Sequence, residues 1–112
     1  MRELELFGTQ LQIQGSPLTL MFYQKEFGTD LVQDWFDEKS LTKCMNSITL
    51  LQVAWAMNKT ADLSVPTFNQ WLCQFEDFSL AGIFDEGSWA RRVDEAVAAE
   101  LFRERKTKKS TK

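Results

Sequence analysis

Residues Ser40 to Asn58, SLTKCMNSITLLQVAWAMN, are apolar around most of a helical circumference. One stripe runs Leu41, Cys44, Met45, Ile48, Leu51 and Trp55, and a second runs Leu50, Val53, Ala54 and Met57. A surface helix shows one apolar face, so an element apolar on nearly all sides is expected at a buried centre, with Ile48 among its core residues. Ser40 is the expected N-cap, because its hydroxyl can accept from a free first-turn amide, and Asn58-Lys59 is the expected polar stop. The stretch carries Lys43 as its single charge and no pair of groups suited to acid–base work. Its role is to be covered by the rest of the chain.

The flanking segments supply the cover. In Glu3 to Gln14, Leu4 and Leu6 alternate with Glu3 and Glu5, and Leu11 and Ile13 alternate with Gln10, Gln12 and Gln14 around Phe7-Gly8-Thr9. Period-two alternation on both sides of a glycine predicts a β-hairpin whose Leu/Ile face lies on helices, since two strands alone are marginally stable. Ser16-Pro17 then predicts a helix start and Gly28 its left-handed stop, with Leu18, Leu20, Met21, Phe22, Tyr23 and Phe27 between them. Asp30 is the expected cap of a short helix carrying Leu31, Val32, Trp35 and Phe36 on one face and Asp34, Asp37 and Glu38 on the other. After Pro66 a further helix places Phe68, Trp71, Leu72 and Phe75 on a stripe that Phe78 extends. Asp77 to Gly87 is irregular, interrupted by Gly82 and holding Ile83-Phe84 beside Asp85-Glu86. Ser88 caps the last helix, with Trp89, Val93, Ala96, Val97 and Phe102 on one side and Arg91, Arg92, Asp94, Glu95 and Glu100 on the other.

The expected fold is therefore mainly α: a compact bundle of about five short helices around the central apolar helix, with a short N-terminal β-hairpin. At 112 residues the chain is expected to hold one helical domain, residues 1–102, followed by a basic flexible tail, residues 103–112. That tail carries six Lys/Arg and one Glu, whereas the other residues carry seven Lys/Arg and fifteen Asp/Glu, an acidic body of net charge −8. Six cations on a flexible segment can release counterions from phosphates, but the acidic body opposes the same backbone and no helix has a basic face. Nucleic acid is thus the less favoured partner, and a small nucleic-acid-binding regulator acting through the tail is the second reading.

Catalysis has little to stand on. There is no histidine, which removes the commonest general base and metal ligand. The glycines stand singly, so no loop cradles a phosphate. Asp34, Asp37 and Glu38, or Glu76 and Asp77, fall where solvated helix faces are expected. Cys44 and Cys73, each within an apolar helical pattern, read as buried free thiols of a reducing compartment. No stretch approaches the about 20 apolar residues of a membrane span, and the N-terminus MRELELFGTQ lacks a signal peptide's apolar run. A non-enzymatic cytoplasmic protein without cofactor or metal is the expectation.

What is unusual is aromatic: nine Phe and four Trp against one Tyr. For any one of these rings a core position is the default, yet short helices offer limited interior for all of them, so part of the supply is expected to face a partner. Trp71, Phe75, Phe78 and Phe84 crowd the fourth helix and the irregular segment after it, beyond what the central helix can cover. They are the predicted partner-binding residues.

The order of the elements, and above all SPLTLMFYQKEFGTDLVQDWFDE with Tyr23-Gln24-Lys25-Glu26-Phe27-Gly28 followed by Asp30-Leu31, resembles the tail assembly chaperones of long-tailed, siphovirus-type bacteriophages. The resemblance implies a non-catalytic chaperone that binds the long, helix-rich tape measure protein, keeps it soluble, and helps the tail tube protein polymerise around it. It also implies action in the host cytoplasm and absence from the mature virion. Self-association is left open. Such proteins are typically made in two lengths by a programmed frameshift, and a chain ending in KTKKSTK fits the shorter product.

Overall fold

The computed structural model describes residues 2–35, 47–82 and 87–102. Strands β1 (Arg2–Leu6) and β2 (Thr9–Ile13) pair antiparallel, with Leu4 opposite Leu11 and Leu6 opposite Thr9. Leu4, Leu6, Leu11 and Ile13 are buried and the alternating Glu and Gln residues are exposed, as the period-two pattern requires. The connecting loop is Phe7-Gly8, and both residues have positive φ, +51° and +80°. A two-residue hairpin loop favours that geometry because its twist matches the strands. For a bulky side chain such as Phe it costs about 1–2 kcal/mol, and the burial of the Phe7 ring offsets it. Phe7 is buried, with ring centroids 5.4 Å from Phe75 and 5.0 Å from Phe78 and from Trp89.

Helix α1 (Pro17–Phe27) is held at both ends. The Ser16 hydroxyl accepts from the Leu18 N–H at 3.1 Å, and the Thr19 hydroxyl accepts from the Ser16 N–H at 3.2 Å, so a threonine completes the capping box. Gly28, at φ +77°, closes the helix through its N–H to the Gln24 carbonyl. Residues 31–35 form a further helical turn, entered through Asp30, whose carboxylate accepts from the Gln33 N–H at 3.0 Å. Leu31 and Trp35 are buried there, while Val32 is exposed; Phe36, Asp37 and Glu38 lie outside the described residues.

Helix α2 (Ser47–Ala61) is the described part of the apolar stretch, and every residue from 53 to 58 along it is buried. Two expectations are corrected here. Ile48 is 50 % exposed rather than core, because it lies on the outer side of α2, whose first turn buries Thr49 and Leu50 instead. Asn58 is not a polar stop: the helix continues to Ala61, and Asn58 is buried with both ends of its amide bonded. Its Nδ2 donates to the Gln12 carbonyl at 2.7 Å, and its Oδ1 accepts from the Trp71 indole N–H at 2.9 Å. The predicted cap Ser40, with Leu41, Cys44 and Met45, lies outside the described residues. α2 packs against α1, β2, α3 (Phe68–Leu72) and α4 (Trp89–Leu101).

Helix α3 is short, and the stripe predicted to run on to Phe78 breaks at a turn through Cys73 and Gln74. Cys73 is exposed, not buried, because that turn carries its side chain away from the core. α3 takes its N-terminal partner from another element: the Glu26 carboxylate on α1 accepts from the Phe68 N–H at 3.0 Å. In α4 the Ser88 hydroxyl caps Arg91 at 3.3 Å, and Trp89, Val93, Ala96 and Val97 are buried as the periodicity predicts. Phe102, expected on that inner side, is instead 36 % exposed and stacks on Trp35 with centroids 6.1 Å apart. The C-terminal end of α4 is tied to the hairpin by Glu100, which accepts from the Gly15 N–H at 3.0 Å and pairs with Arg2 at 3.1 Å. A Cβ on Gly15 would stand 2.4 Å from the Glu100 carbonyl oxygen, so this close approach requires glycine.

Candidate functional site

The four residues predicted to meet a partner separate. Trp71 is a correction: it is 1 % exposed, and its N–H is engaged by Asn58, so it belongs to the core. Phe75 is half-buried, edge-on to Trp71 at 4.8 Å and to Phe7 at 5.4 Å. Phe78 leans on Phe7 at 5.0 Å with 53 % of its surface exposed, and Leu80 beyond it is exposed to the same degree. Phe84 lies outside the described residues. What the sequence placed on one helix stripe is therefore a graded cluster: Trp71 inside, Phe75 at the boundary, Phe78 at the surface beside the hairpin tip.

A second apolar surface was not foreseen. α1 buries Thr19 and Tyr23, its polar residues at i and i+4 spacing, and turns Leu18, Leu20 and Met21 outward. The inversion has a polar cause. The Thr19 hydroxyl lies 2.7 Å from that of Thr60 and donates to the Gln14 carbonyl at 3.2 Å. The Tyr23 hydroxyl is 2.8 Å from the Asp34 carboxylate and 3.1 Å from Gln52 Oε1. These bonds fix the rotation of α1 about its axis and leave the aliphatic side chains facing out. Leu20 also lines a groove with Pro17, Val32, Leu101 and Phe102, floored by the buried Leu31. Val32 in the groove is 39 % exposed, and Leu18 and Met21 on the same helix as Leu20 are exposed by 47 % and 43 %. Leu18, Leu20, Met21 and Phe22 spread over about 200° of the helix, too broad for a periodic apolar stripe to separate inside from outside; the signal available is the polar pair Thr19 and Tyr23 on the remaining arc.

Chemistry is sparse around both surfaces. Among the described residues no group of three or more His, Cys, Asp or Glu could hold a metal ion, and none of the described helices is long and apolar enough to cross a membrane. Asp62 has its carboxyl held below the usual carboxylate range, first by the Ser64 hydroxyl at 2.7 Å and then by the Ser64 N–H at 3.0 Å. That is a turn closing α2, not a reactive group. A comparison with protein-family models, with curated proteins and with solved structures finds no match to this chain.

Proposed function

We propose that the protein is a non-catalytic chaperone of the phage tail assembly type, which binds apolar helices of the tape measure protein in the host cytoplasm, assists assembly of the tail tube protein around it, and does not remain in the virion. The observation that carries this reading is the outward apolar face of α1 with its groove. A helix that buries threonine and tyrosine while exposing Leu18, Leu20 and Met21 offers a partner the surface that a core would otherwise claim. A groove between a helix and its neighbours suits an amphipathic helix presenting apolar residues at i, i+3, i+4 and i+7. Phe75 and Phe78 at the hairpin tip are a second contact on the same reading. We also read the architecture as a compact bundle organised on α2, which holds these faces in fixed relation while contributing little surface itself.

Co-expression with the long helix-rich protein encoded immediately downstream tests the proposal. The soluble fraction of that client is expected to rise with the wild-type chain and to fall back when Leu18, Met21 and Val32 are made polar. A client equally soluble with and without the chaperone would remove the reading.

A further inference from the structure

In a hairpin closed by a two-residue loop, the residues flanking the loop form a hydrogen-bonded pair, and bonded and non-bonded pairs alternate from there. With Leu6 opposite Thr9, Leu4 opposite Leu11 and Arg2 opposite Ile13, these pairs bond across the ladder. Glu3, Glu5, Gln10 and Gln12 then direct their backbone groups away from it. The β2 side fixes this phase independently: the Gln12 carbonyl is taken by Asn58 at 2.7 Å, and the Gln14 N–H donates to the Met57 carbonyl at 3.1 Å. The end of α2 thus takes the Gln12 carbonyl of the β2 edge and the backbone just beyond it. On β1 the matching N–H and C=O groups of Glu3 and Glu5 meet no partner among the described residues. α4 packs against β1 and reaches its two ends, through Arg92 to Glu5 at 3.7 Å and through Glu100 to Arg2 at 3.1 Å.

We propose that the β1 edge receives an extended basic segment of a partner as a third strand. Its backbone would bond to Glu3 and Glu5, and its Lys or Arg side chains at alternate positions would lie beside the two glutamates on the exposed face of the sheet. Charge selects this occupant over the β1 strand of a second copy of the chain. Every antiparallel register that joins the free groups of two β1 strands sets a glutamate opposite a glutamate, and like charges directly opposite are destabilising. The same carboxylates favour a cationic strand, since Glu3 and Glu5 are both exposed on that face. This surface is separate from the groove on α1 and does not depend on it.

The test uses the full-length chain labelled for NMR and a synthetic peptide of alternating Thr and Lys. The peptide is expected to shift the Glu3 and Glu5 amides and protect them from hydrogen exchange, with affinity that falls as salt rises. The same peptide N-methylated on the backbone positions that face β1 is expected to bind roughly tenfold more weakly or worse, because it keeps the charge and loses the strand bonds. An alternating Thr and Glu peptide is expected not to bind, and Glu3→Gln with Glu5→Gln is expected to weaken the Lys peptide at unchanged melting temperature. Equal binding of the N-methylated peptide would reduce the effect to charge attraction and overturn strand addition. So would shifts confined to α1, or no binding of the Lys peptide at low salt. Met21→Gln on the α1 face is expected to leave this binding intact, so failure here and failure of the client-helix reading are told apart.

Discussion

The indole N–H of Trp71 donates to the side-chain carbonyl of Asn58 at 2.9 Å, between two residues that are both buried. Because the same amide donates to the Gln12 carbonyl at 2.7 Å, one side chain joins α2, α3 and β2. Replacing Asn58 by Leu leaves the Trp71 N–H buried without a partner and removes the donor to the Gln12 carbonyl, and the loss of stability in denaturant unfolding should be about 2–4 kcal/mol. Adding Trp71→Phe removes the orphaned N–H, so the double variant should be less destabilised than the two single losses added together.

Phe7 tests whether packing outweighs backbone preference. Asn tolerates the left-handed conformation at φ +51° better than Phe does, a gain of about 1 kcal/mol at most. Losing a buried ring from contact with Phe75, Phe78 and Trp89 costs about 3–5 kcal/mol. Phe7→Asn should therefore lower stability despite supplying the better turn residue. A stabilised variant would mean that the ring contributes little.

Burial separates two neighbours on α2. Ile48, half exposed, should lose less than about 1 kcal/mol on change to Ala, whereas Leu50, 3 % exposed, should lose about 2–5 kcal/mol. Equilibrium unfolding of the two variants measures both.

The turn at Asp62 has a defined pH window. Its carboxyl is held below the usual value by two bonds from Ser64, so the charged form is favoured in the folded state. That contribution is complete above the unfolded carboxylate range of about 4 and is lost as pH falls through the lower folded value. The protection of the Ser64 amide, its exchange rate relative to the intrinsic rate at the same pH, should be greater at neutral pH than in acid; in Asp62→Asn that loss of protection in acid should disappear.

Local chemistry made much of this fold readable in the sequence. The hairpin follows from alternation around Phe7-Gly8, the start of α1 from Ser16-Pro17, its stop from Gly28, and the inner face of α4 from Trp89, Val93, Ala96 and Val97. What escaped depends on partners distant in sequence. Nothing near Asn58 announces that its amide will meet Gln12 and Trp71, and nothing near Thr19 announces Thr60. The same gap hid the outer face of α1, because its rotation is set by those polar bonds and not by its apolar residues. Trp71 shows the converse: periodicity puts it on a stripe but cannot say that its indole N–H finds a buried acceptor.

The central claim, that the outward face of α1 binds a client helix, is tested most directly by titrating amphipathic helical peptides of the client into the wild-type chain and into a variant carrying Leu18→Gln, Met21→Gln and Val32→Thr. These side chains are all exposed by more than a third, so melting should change little. Client affinity should fall by about tenfold or more if they form the contact. Wild-type affinity in a variant that melts with the wild type would contradict the account and move the contact to Phe75 and Phe78.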